Sequence, residues 1–404
     1  MSPNQPAAAL AGIRVLDMTS LGMGPLAAQI LGDYGADVIK VEPLAGDVFR
    51  HVMPQRHHGM SHAYIQLNRN KRTLAIDLKS ERGRAVFHKL VQSADVVLTN
   101  TRAEAQRRLQ LDYAALRAIK PDLIYCSCYG FGERGRYRGR PAADDVIQAM
   151  SGLVDFQGRA NDQPPQQIAT VVADKAVGLT VVNALLAAIV HKLRTGVGQE
   201  IEVPMFESMV AFVMPEHMAG ASFDPPLGPT GYSRVINPER KPYPTKDGYV
   251  CVLPYTTPQW QRFFRLIGRD DLAEDKELAD PVVRSTRFVE LFRIIREATA
   301  LKTTDEWEKL LIENDILFGR VLSSEELLVD PHLHEVGMFL DVDHPTEGKL
   351  RLLGFPVNMS ETPCTLRHLP TNIGTHSREV LAELGLSETE IDALKAEGVI
   401  GTAD

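Results

Sequence analysis

The chain has 404 residues, of which 44% are hydrophobic and 24% are charged. At about 150 residues per domain, this length predicts two to three domains, and the composition is typical of a globular rather than a disordered chain. The 44 lysines and arginines against 52 acidic residues leave a formal net charge of −8. This balance argues against a nucleic-acid-binding protein or one that binds an anionic membrane, since both are normally basic.

Cysteine usage and apolar stretches bear on compartment and on metal binding. The four cysteines are Cys126, Cys128, Cys251 and Cys364. They form no C-x-x-C pair and no zinc-finger spacing with histidines, so we expect no metal site and a reducing compartment. Residues 1–12 lack the features of a signal peptide, and the longest apolar stretch, 177–190, is shorter than the ~20 residues of a membrane span. We expect a soluble, cytoplasmic protein.

In chain order, the first half alternates strand and helix patterns. Strand patterns occupy residues 13–18, 37–41, 74–77, 95–98, 123–127 and 200–203. Helix patterns occupy residues 26–34, 82–93, 113–119 and 174–194. The last of these is apolar almost all round, so we expect it to be buried, and Gly196 should end it. Alternation of this kind predicts an α/β fold with a parallel sheet covered on both faces.

The pattern changes after about residue 221. Residues 223–249 are rich in proline and glycine, as linkers and irregular loops are. Amphipathic helices follow at 259–267, 289–299 and 305–313, which together with a strand pattern at 249–255 predict a smaller domain. Short strands and helices return after about residue 330.

A glycine motif stands between the first strand and the first helix. Residues 22–27 fit G-x-G-x-x-G/A, and Glu42 lies at the end of the second strand. This is the dinucleotide-binding fingerprint, so a NAD-dependent oxidoreductase is one alternative. The same loop also suits other phosphates, because a helix N-terminus with small residues accepts them.

Basic residues follow several of the predicted strands. They lie at 68–73, at Arg102, at Arg107 and Arg108, and in the loop 132–140, which holds four arginines. Basic groups at the ends of parallel strands suit a polyanionic ligand. The alternative is an ordinary solvated surface.

Two acidic positions stand at predicted helix starts. Asp174 opens the apolar helix, where the helix dipole stabilises its anion, and its alternative role is capping. The pair Asp144 and Asp145 opens another apolar helical run, in which one carboxylate can cap and the other can face a site.

Segments along nearly the whole chain carry a more specific resemblance. They are LAGIRVLDMTSLGMGPLAAQILGDYGADVIKVEPLAGD, LNRNKRTLAIDLK, ADVVLTN, GFG at 130–132, DDVIQAMSG, ADKAVG, HKLRTGVGQEIEV and PTNIGTHSREVLAELGLSETEI. In this order they resemble the class III (CaiB/BaiF) CoA-transferases. The resemblance implies a large Rossmann-like domain, here residues 1–222 and 331–404, with a linker and small inserted α+β domain at 223–330. It also implies an interlocked homodimer.

The resemblance also implies the chemistry. CoA would pass from an acyl-CoA to a free carboxylic acid through an aspartyl anhydride and an aspartyl-CoA thioester, with Asp174 as the nucleophile. A carboxylate suits this role, because it can hold an acyl group and then CoA itself. We expect no tightly bound cofactor and no metal. The expected CoA-binding residues are Gly22, Met23, Ile76, Asp77, Leu78, Lys79, Asn100, Thr101, Arg102, Arg108 and Arg140.

Departures from the family limit what is carried over. An arginine that often follows the second strand is replaced by Glu42-Pro43, and the glycine run of some formyl-CoA transferases by residues 253–258. We therefore carry over no formyl or oxalate specificity. A 2-methylacyl-CoA racemase is an alternative, but it needs a histidine near Ala143, and none occurs between His88 and His191. A non-catalytic CoA-binding protein is a further alternative.

Overall fold

The computed structural model describes residues 8–403. These form two compact units, each built from separate stretches of the chain. The first contains the described parts of Met1–Ser151, Ile168–Phe212 and His334–Asp404. The second contains Gly152–Gln167 and Val213–Leu333.

The strands are β1 Arg14–Met18, β2 Asp37–Glu42, β3 Lys71–Ile76, β4 Val96–Thr99, β5 Ile124–Tyr129, β6 Glu200–Pro204, β7 Tyr243–Pro244, β8 Tyr249–Leu253, β9 Leu317–Arg320, β10 Phe339–His344, β11 Gly348–Leu353 and β12 Ile400–Gly401. The helices of the first half are α1 Met23–Asp33, α2 His62–Leu67, α3 Glu81–Gln92, α4 Ala103–Leu109, α5 Tyr113–Ile119, α6 Asp144–Met150, α7 Leu153–Asn161, α8 Val172–Thr195 and α9 Met205–His217. The later helices are α10 Thr257–Leu266, α11 Asp270–Ala273, α12 Lys276–Ala279, α13 Pro281–Thr286, α14 Phe288–Thr299, α15 Thr304–Glu313, α16 Ser324–Leu327, α17 Pro331–Glu335, α18 Ser377–Glu383 and α19 Glu388–Ala396. Short 3₁₀ turns occupy Val48–His51 and Ala219–Ser222.

A seven-stranded sheet organises the first unit, with strand order β12-β3-β2-β1-β4-β5-β6. Strands β1 to β6 pair in parallel, as the sequence predicts, and β12 pairs antiparallel to β3. The order reverses at β1, which lies between β2 and β4. In open sheets of this type ligands bind outside the carboxyl ends of the strands at such a switch point. A ligand site is therefore expected at the loops that follow β1 and β4.

The inner strands of this sheet are largely buried, with the charged start of β3 paired to carboxylates of the protein. Every residue of β3 and β4 is buried, as expected for parallel strands covered on both faces. The core includes Leu16, Ile39 and Leu74 from the strands, together with Phe87 of α3. Cys126 and Cys128 of β5 are also buried.

Helix α8 spans 24 residues and ends where the sequence predicts. Gly196 adopts a φ of 74°, and its amide donates to the carbonyl of Lys192 over 2.7 Å. The expectation that α8 is buried all round is wrong for the described chain, since Leu179, Val190 and Leu193 are exposed, the last at 72%. Among the residues that the structure describes, α8 is the one helix whose length and composition would suit a membrane span. It packs instead against α1, β5 and β6 in the first unit.

The second unit has its own core. Strands β7, β8 and β9 form an antiparallel sheet. The apolar faces of α10, α14 and α15 supply Phe263, Phe292 and Trp307 to one buried cluster. Capping boxes start α10 at Thr256 and α15 at Thr303, so these helices begin close to where their periodicity predicts.

Candidate active site

The N-terminus of α8 is fixed by a carboxylate from α6. The backbone N–H of Asp174 donates to Oδ1 of Asp144 over 2.9 Å. Asp144 is itself buried, and its Oδ2 accepts from Nε2 of Gln148 over 2.6 Å. The capping expected of Asp174 is thus performed by Asp144, which leaves the carboxylate of Asp174 without a capping role.

Gln148 also holds the segment that leads into α8. Its Oε1 accepts the N–H of Ile168 over 3.0 Å, and its Nε2 donates to the carbonyl of Thr170 over 3.1 Å. One turn of α6 therefore fixes both the entry to α8 and its first turn. Sequence reasoning missed Gln148, although its i+4 spacing from Asp144 on a helix was the available signal.

The β1–α1 loop touches Asp174 directly. A Cβ placed on Gly22 would lie 2.3 Å from Oδ2 of Asp174, and one on Gly178 would lie 2.9 Å from the carbonyl oxygen of Met23. Both glycines are therefore needed for close approach, the first between loop and carboxylate, the second between α1 and α8. The N-terminal ends of two helices thus meet near one carboxylate, and both helix dipoles favour negative charge there.

Burial and a neighbouring charge shift this carboxyl group. Loss of solvation raises the pKa of Asp174 to about 6, and the Asp144 carboxylate contributes in the same direction. At pH 7 most of Asp174 is then ionised, yet it is more basic than an exposed aspartate. A partly desolvated carboxylate with raised basicity is suited to nucleophilic attack on an acyl group.

The loops after β1 and β4 are joined at the switch point. Nδ2 of Asn100 donates to the carbonyl of Ser20 over 2.8 Å, and its Oδ1 accepts the N–H of Ser20 over 3.2 Å. Asn100 was predicted to contact CoA. Its side chain links the two loops that border the sheet's switch point.

Comparison with known proteins identifies the family. The sequence model of CoA-transferase family III matches residues 10–377. The chain is similar to the succinate–glutarate CoA-transferase of Agrobacterium fabrum, with 33% identity over 93% of this chain and 95% of that one. It is equally similar, at 33% identity, to the formyl-CoA:oxalate CoA-transferase of Streptomyces coelicolor, over 98% of this chain and 100% of that one. A solved CaiB/BaiF family protein from Brucella suis matches with a TM-score of 0.79 and 30% identity, over 94% of this chain and 100% of that one.

The chain belongs to CoA-transferase family III. The resemblance seen in the sequence is thereby confirmed, and so is the mixed α/β fold with a large parallel sheet. Enzymes of this kind take a CoA thioester and a carboxylic acid as substrates.

Three of the predicted CoA-binding residues of this CoA-transferase line one small cavity. It has a volume of about 120 Å³ and is lined by Asn100, Arg102 and Arg140, among others. The guanidinium of Arg140 lies over the ring of Tyr137, 4.4 Å from its centroid. Thr101, Arg102 and Arg108 are exposed at and after the end of β4, where they are free to meet an anion.

The predicted residues after β3 lie elsewhere along the same edge of the sheet. Ile76 is buried in the core and pairs with β12. Oδ1 of Asp77 accepts the N–H of Lys79 over 3.0 Å, which shapes the turn that carries Leu78. β2 separates this turn from β1 in the sheet.

The basic run at 68–73 does not form an anion site, and that prediction is wrong. Arg69 is buried against Asp33, Lys71 against Asp17, and Arg72 pairs with Asp37 and with two glutamates of α18. These charges are satisfied by carboxylates of the protein itself. They stabilise the first unit and leave no free cation for a ligand.

Neither alternative enzyme class finds its residues in the site. Glu42, the acidic residue of the dinucleotide fingerprint, is buried and receives Nε and Nη2 of Arg50 at 2.7 Å each, so it is not available to a ribose. The residue bonded to Asp174 is Asp144, whereas a racemase would need a second acid/base of the imidazole type there.

Proposed function

We propose that this family III member transfers CoA with Asp174 as its covalent nucleophile. A carboxylate oxygen of Asp174 attacks the thioester carbonyl of the donor, the C–S bond breaks, and CoA leaves as the thiolate. The product is a mixed anhydride of Asp174 with the donor acid. The CoA thiolate then attacks the aspartyl carbonyl and releases the donor carboxylate, which leaves Asp174 as a CoA thioester.

The second half reverses these steps with the acceptor. The acceptor carboxylate attacks the aspartyl-CoA carbonyl, forms a new anhydride and releases the thiolate. The thiolate attacks the acceptor's carbonyl, which yields the new acyl-CoA and frees the Asp174 carboxylate. No net proton or electron is needed.

The observation that carries this proposal is the separation of roles between Asp144 and Asp174. Asp144 satisfies the backbone at the start of α8, so the Asp174 carboxylate is not needed for folding of that turn. It is instead pressed against the β1–α1 loop at Gly22. The first amides of α1 have no partner within that helix, so those near Gly22 and Met23 are suited to stabilise the tetrahedral oxyanions.

For the CoA moiety we propose contacts along the carboxyl edge of the sheet. Arg102 and Arg140 line a common cavity beside the β4 loop, and Arg108 is exposed on α4. These cations suit the phosphates of CoA. Gly22 and Met23, Ile76 to Lys79, Asn100 and Thr101 complete the proposed contacts.

The similar proteins suggest the class of acid. One is named for succinate and glutarate, the other for oxalate together with formyl-CoA. We propose that at least one of the two acids handled by this enzyme is a short dicarboxylic acid. A panel of succinyl-, glutaryl-, oxalyl- and formyl-CoA tests this.

We further propose an interlocked homodimer with a small inserted domain at about residues 223–330. The second compact unit contains Val213–Leu333, which supports an insertion between two parts of the large domain. The exposed apolar side chains of α8 support a second copy as their cover, because a soluble chain does not leave such a face in water. Cytoplasmic location and the lack of a tightly bound cofactor belong to the same proposal.

The test is mass spectrometry of the protein after incubation with the acyl-CoA panel and rapid acid quenching. We expect an acyl or CoA adduct on the peptide that contains Asp174, and none in Asp174→Asn. Asp145→Asn, a change at an exposed acidic residue of α6, is the matched control and should form the adduct normally. Undiminished transfer by Asp174→Asn would exclude Asp174 as the nucleophile.

A further inference from the structure

Four charged side chains are completely buried beneath the β1–α1 loop. Nζ of Lys71 lies 2.9 Å from Oδ2 of Asp17, and Nζ of Lys40 lies 2.8 Å from Oδ2 of Asp47. Buried ion pairs pay a large desolvation penalty, so they are poor devices for stability alone. The remaining bonds of these side chains show what they hold.

Three of these side chains, those of Asp17, Lys40 and Asp47, bind the loop backbone together with Asn100. The bound residues are three in succession. Asp17 accepts the N–H of Thr19, and Lys40 donates to the carbonyl of Thr19 over 2.9 Å. Asn100 binds both the N–H and the carbonyl of Ser20. Oδ1 of Asp47 accepts the N–H of Leu21 over 3.1 Å.

Leu21 is the loop residue whose backbone conformation depends on these hydrogen bonds. Its φ is 70°, a conformation that costs a non-glycine residue energy and persists only where the surroundings impose it. The next residue is Gly22, and a Cβ added to it would clash with Oδ2 of Asp174. A rotation at Leu21 would therefore move the loop relative to the proposed nucleophile.

We propose that Asp47 is a positioning residue for CoA transfer: by holding the Leu21 amide, it fixes the loop that faces Asp174. The proposal rests on the role of Asp174 given above. Lys40 neutralises Asp47 and ties the same carboxylate to the carbonyl of Thr19, so that the loop is held at both ends. The segment VEPLAGD carried part of the family resemblance. Through Asp47 it would hold the β1–α1 loop in place without touching the substrate.

Two double variants separate positioning from charge burial. Lys40→Met/Asp47→Asn removes both charges but keeps an amide oxygen for the N–H of Leu21. Lys40→Met/Asp47→Leu removes both charges and the acceptor. Both replace a buried ion pair by neutral groups, a change that proteins often tolerate.

The measurement is the single-turnover rate of adduct formation on Asp174 at saturating acyl-CoA, alongside the Kd for CoA and the Tm. We expect Lys40→Met/Asp47→Asn to react within about threefold of the parent, and Lys40→Met/Asp47→Leu to react roughly 10- to 100-fold more slowly, the range expected for misplacement by about 1 Å. The Kd for CoA should change much less than the rate. Equal rates in the two double variants would overturn the role of Asp47.

Asp33→Asn is the matched structural control. Asp33 is a buried aspartate paired with Arg69 at the other end of α1, and it makes no contact with the β1–α1 loop. It should lower the Tm and leave the adduct rate at saturation nearly unchanged. A rate loss in Asp33→Asn as large as in Lys40→Met/Asp47→Leu would reduce the effect of Asp47 to general stability. A parent enzyme that forms no adduct would instead refute the proposed mechanism, and the role of Asp47 would fall with it.

Discussion

The backbone amide of Asp174 is bound by the side chain of Asp144 over 2.9 Å. One acidic residue thus caps the helix while the other keeps its carboxylate for chemistry. Burial raises the pKa of that carboxylate, and the nearby Asp144 carboxylate adds to the rise. Asp144 therefore fixes the backbone position of the proposed nucleophile and also contributes to its basicity.

Ionisation of Asp174 should control the first half-reaction. With a pKa of about 6, the rate of adduct formation at low acyl-CoA concentration should rise about tenfold per pH unit below that value and level off above it. The measurement is kcat/KM for adduct formation between pH 4.5 and 8, with a donor whose acyl group does not titrate. CoA binding to Asp174→Asn over the same range corrects for titration of the CoA phosphate. A profile that is flat down to pH 4.5 would contradict the prediction.

Removing the charge of Asp144 should shift that profile. In Asp144→Asn the amide oxygen can still accept the Asp174 N–H, but the repulsion between two carboxylates is lost. We expect the midpoint of the profile to move to lower pH and the plateau rate to fall, since Gln148 loses its carboxylate partner. Asp145→Asn should leave the midpoint unchanged. A midpoint that rises in Asp144→Asn would show that Asp144 is not the perturbing charge.

The nucleophile should also cost stability. The folded-state pKa of Asp174 is raised above the unfolded value of 3.8 to about 6, so the native state binds the proton more tightly. The stabilisation that comes from binding this proton is present below pH 4 and is lost as the pH rises through 6. Asp174→Asn should therefore increase the free energy of unfolding at pH 7.5 by about 1 to 2 kcal/mol, after allowance for solvent screening. Urea unfolding at pH 7.5 and pH 4.5 checks this, with a clearly larger difference expected at the higher pH.

Gly22→Ala should slow the reaction while leaving the stability of the fold almost unchanged. The added Cβ would lie 2.3 Å from Oδ2 of Asp174, so the carboxylate has to turn away from its position. We expect the single-turnover rate to fall by about 100-fold with a small change in Tm, because the clash is with the end of a side chain. Gly135→Ala is the control, since a Cβ there meets no atom within 4 Å. Full activity of Gly22→Ala would mean that the loop can retreat without consequence.

The cations beside the β4 loop should act on the nucleotide end of CoA. Arg102→Ala and Arg140→Ala should each weaken CoA binding by roughly tenfold, as expected for loss of one charge-assisted hydrogen bond. Titration calorimetry with CoA measures this, and the same titration with pantetheine should show no difference from the parent. Arg262→Ala in the second unit is the control for a general loss of positive charge. Equal weakening for pantetheine would place these arginines away from the phosphates.

The exposed face of α8 should be a dimer contact. Leu193 is 72% exposed, and Leu193→Glu places a charge where the proposed partner packs. We expect this variant to shift the sedimentation coefficient from dimer towards monomer, whereas Val282→Glu, at the equally exposed Val282 of the second unit, should not. A parent enzyme that sediments as a monomer would exclude the homodimer.

Most of the sheet and its crossover helices could be predicted from the sequence, because parallel strands buried on both faces leave long apolar runs. Strand β12 could not, since two residues carry no periodicity and their pairing depends on the far end of the chain. The position of Asp174 was predictable from its place at the start of an apolar helix. The hydrogen bond from its amide to Asp144 was not predictable, because the two residues lie 30 positions apart and meet only through the packing of two helix N-termini. The anion site predicted at residues 68–73 was wrong, because the acidic partners of its arginines and lysine lie on other elements and are distant in sequence.

Strand β12 has a consequence for how the molecule is made. Ile400 pairs with Ile76, and Oγ of Ser377 accepts the N–H of Ala75 while donating to the carbonyl of Gly401. The part of the β3 edge around Ile76 therefore stays unpaired until residues 399–401 have left the ribosome. Until then the nascent sheet presents an unpaired strand of the kind that promotes aggregation. Loss of residues 400–401 should thus impair yield of the enzyme more than its small size suggests.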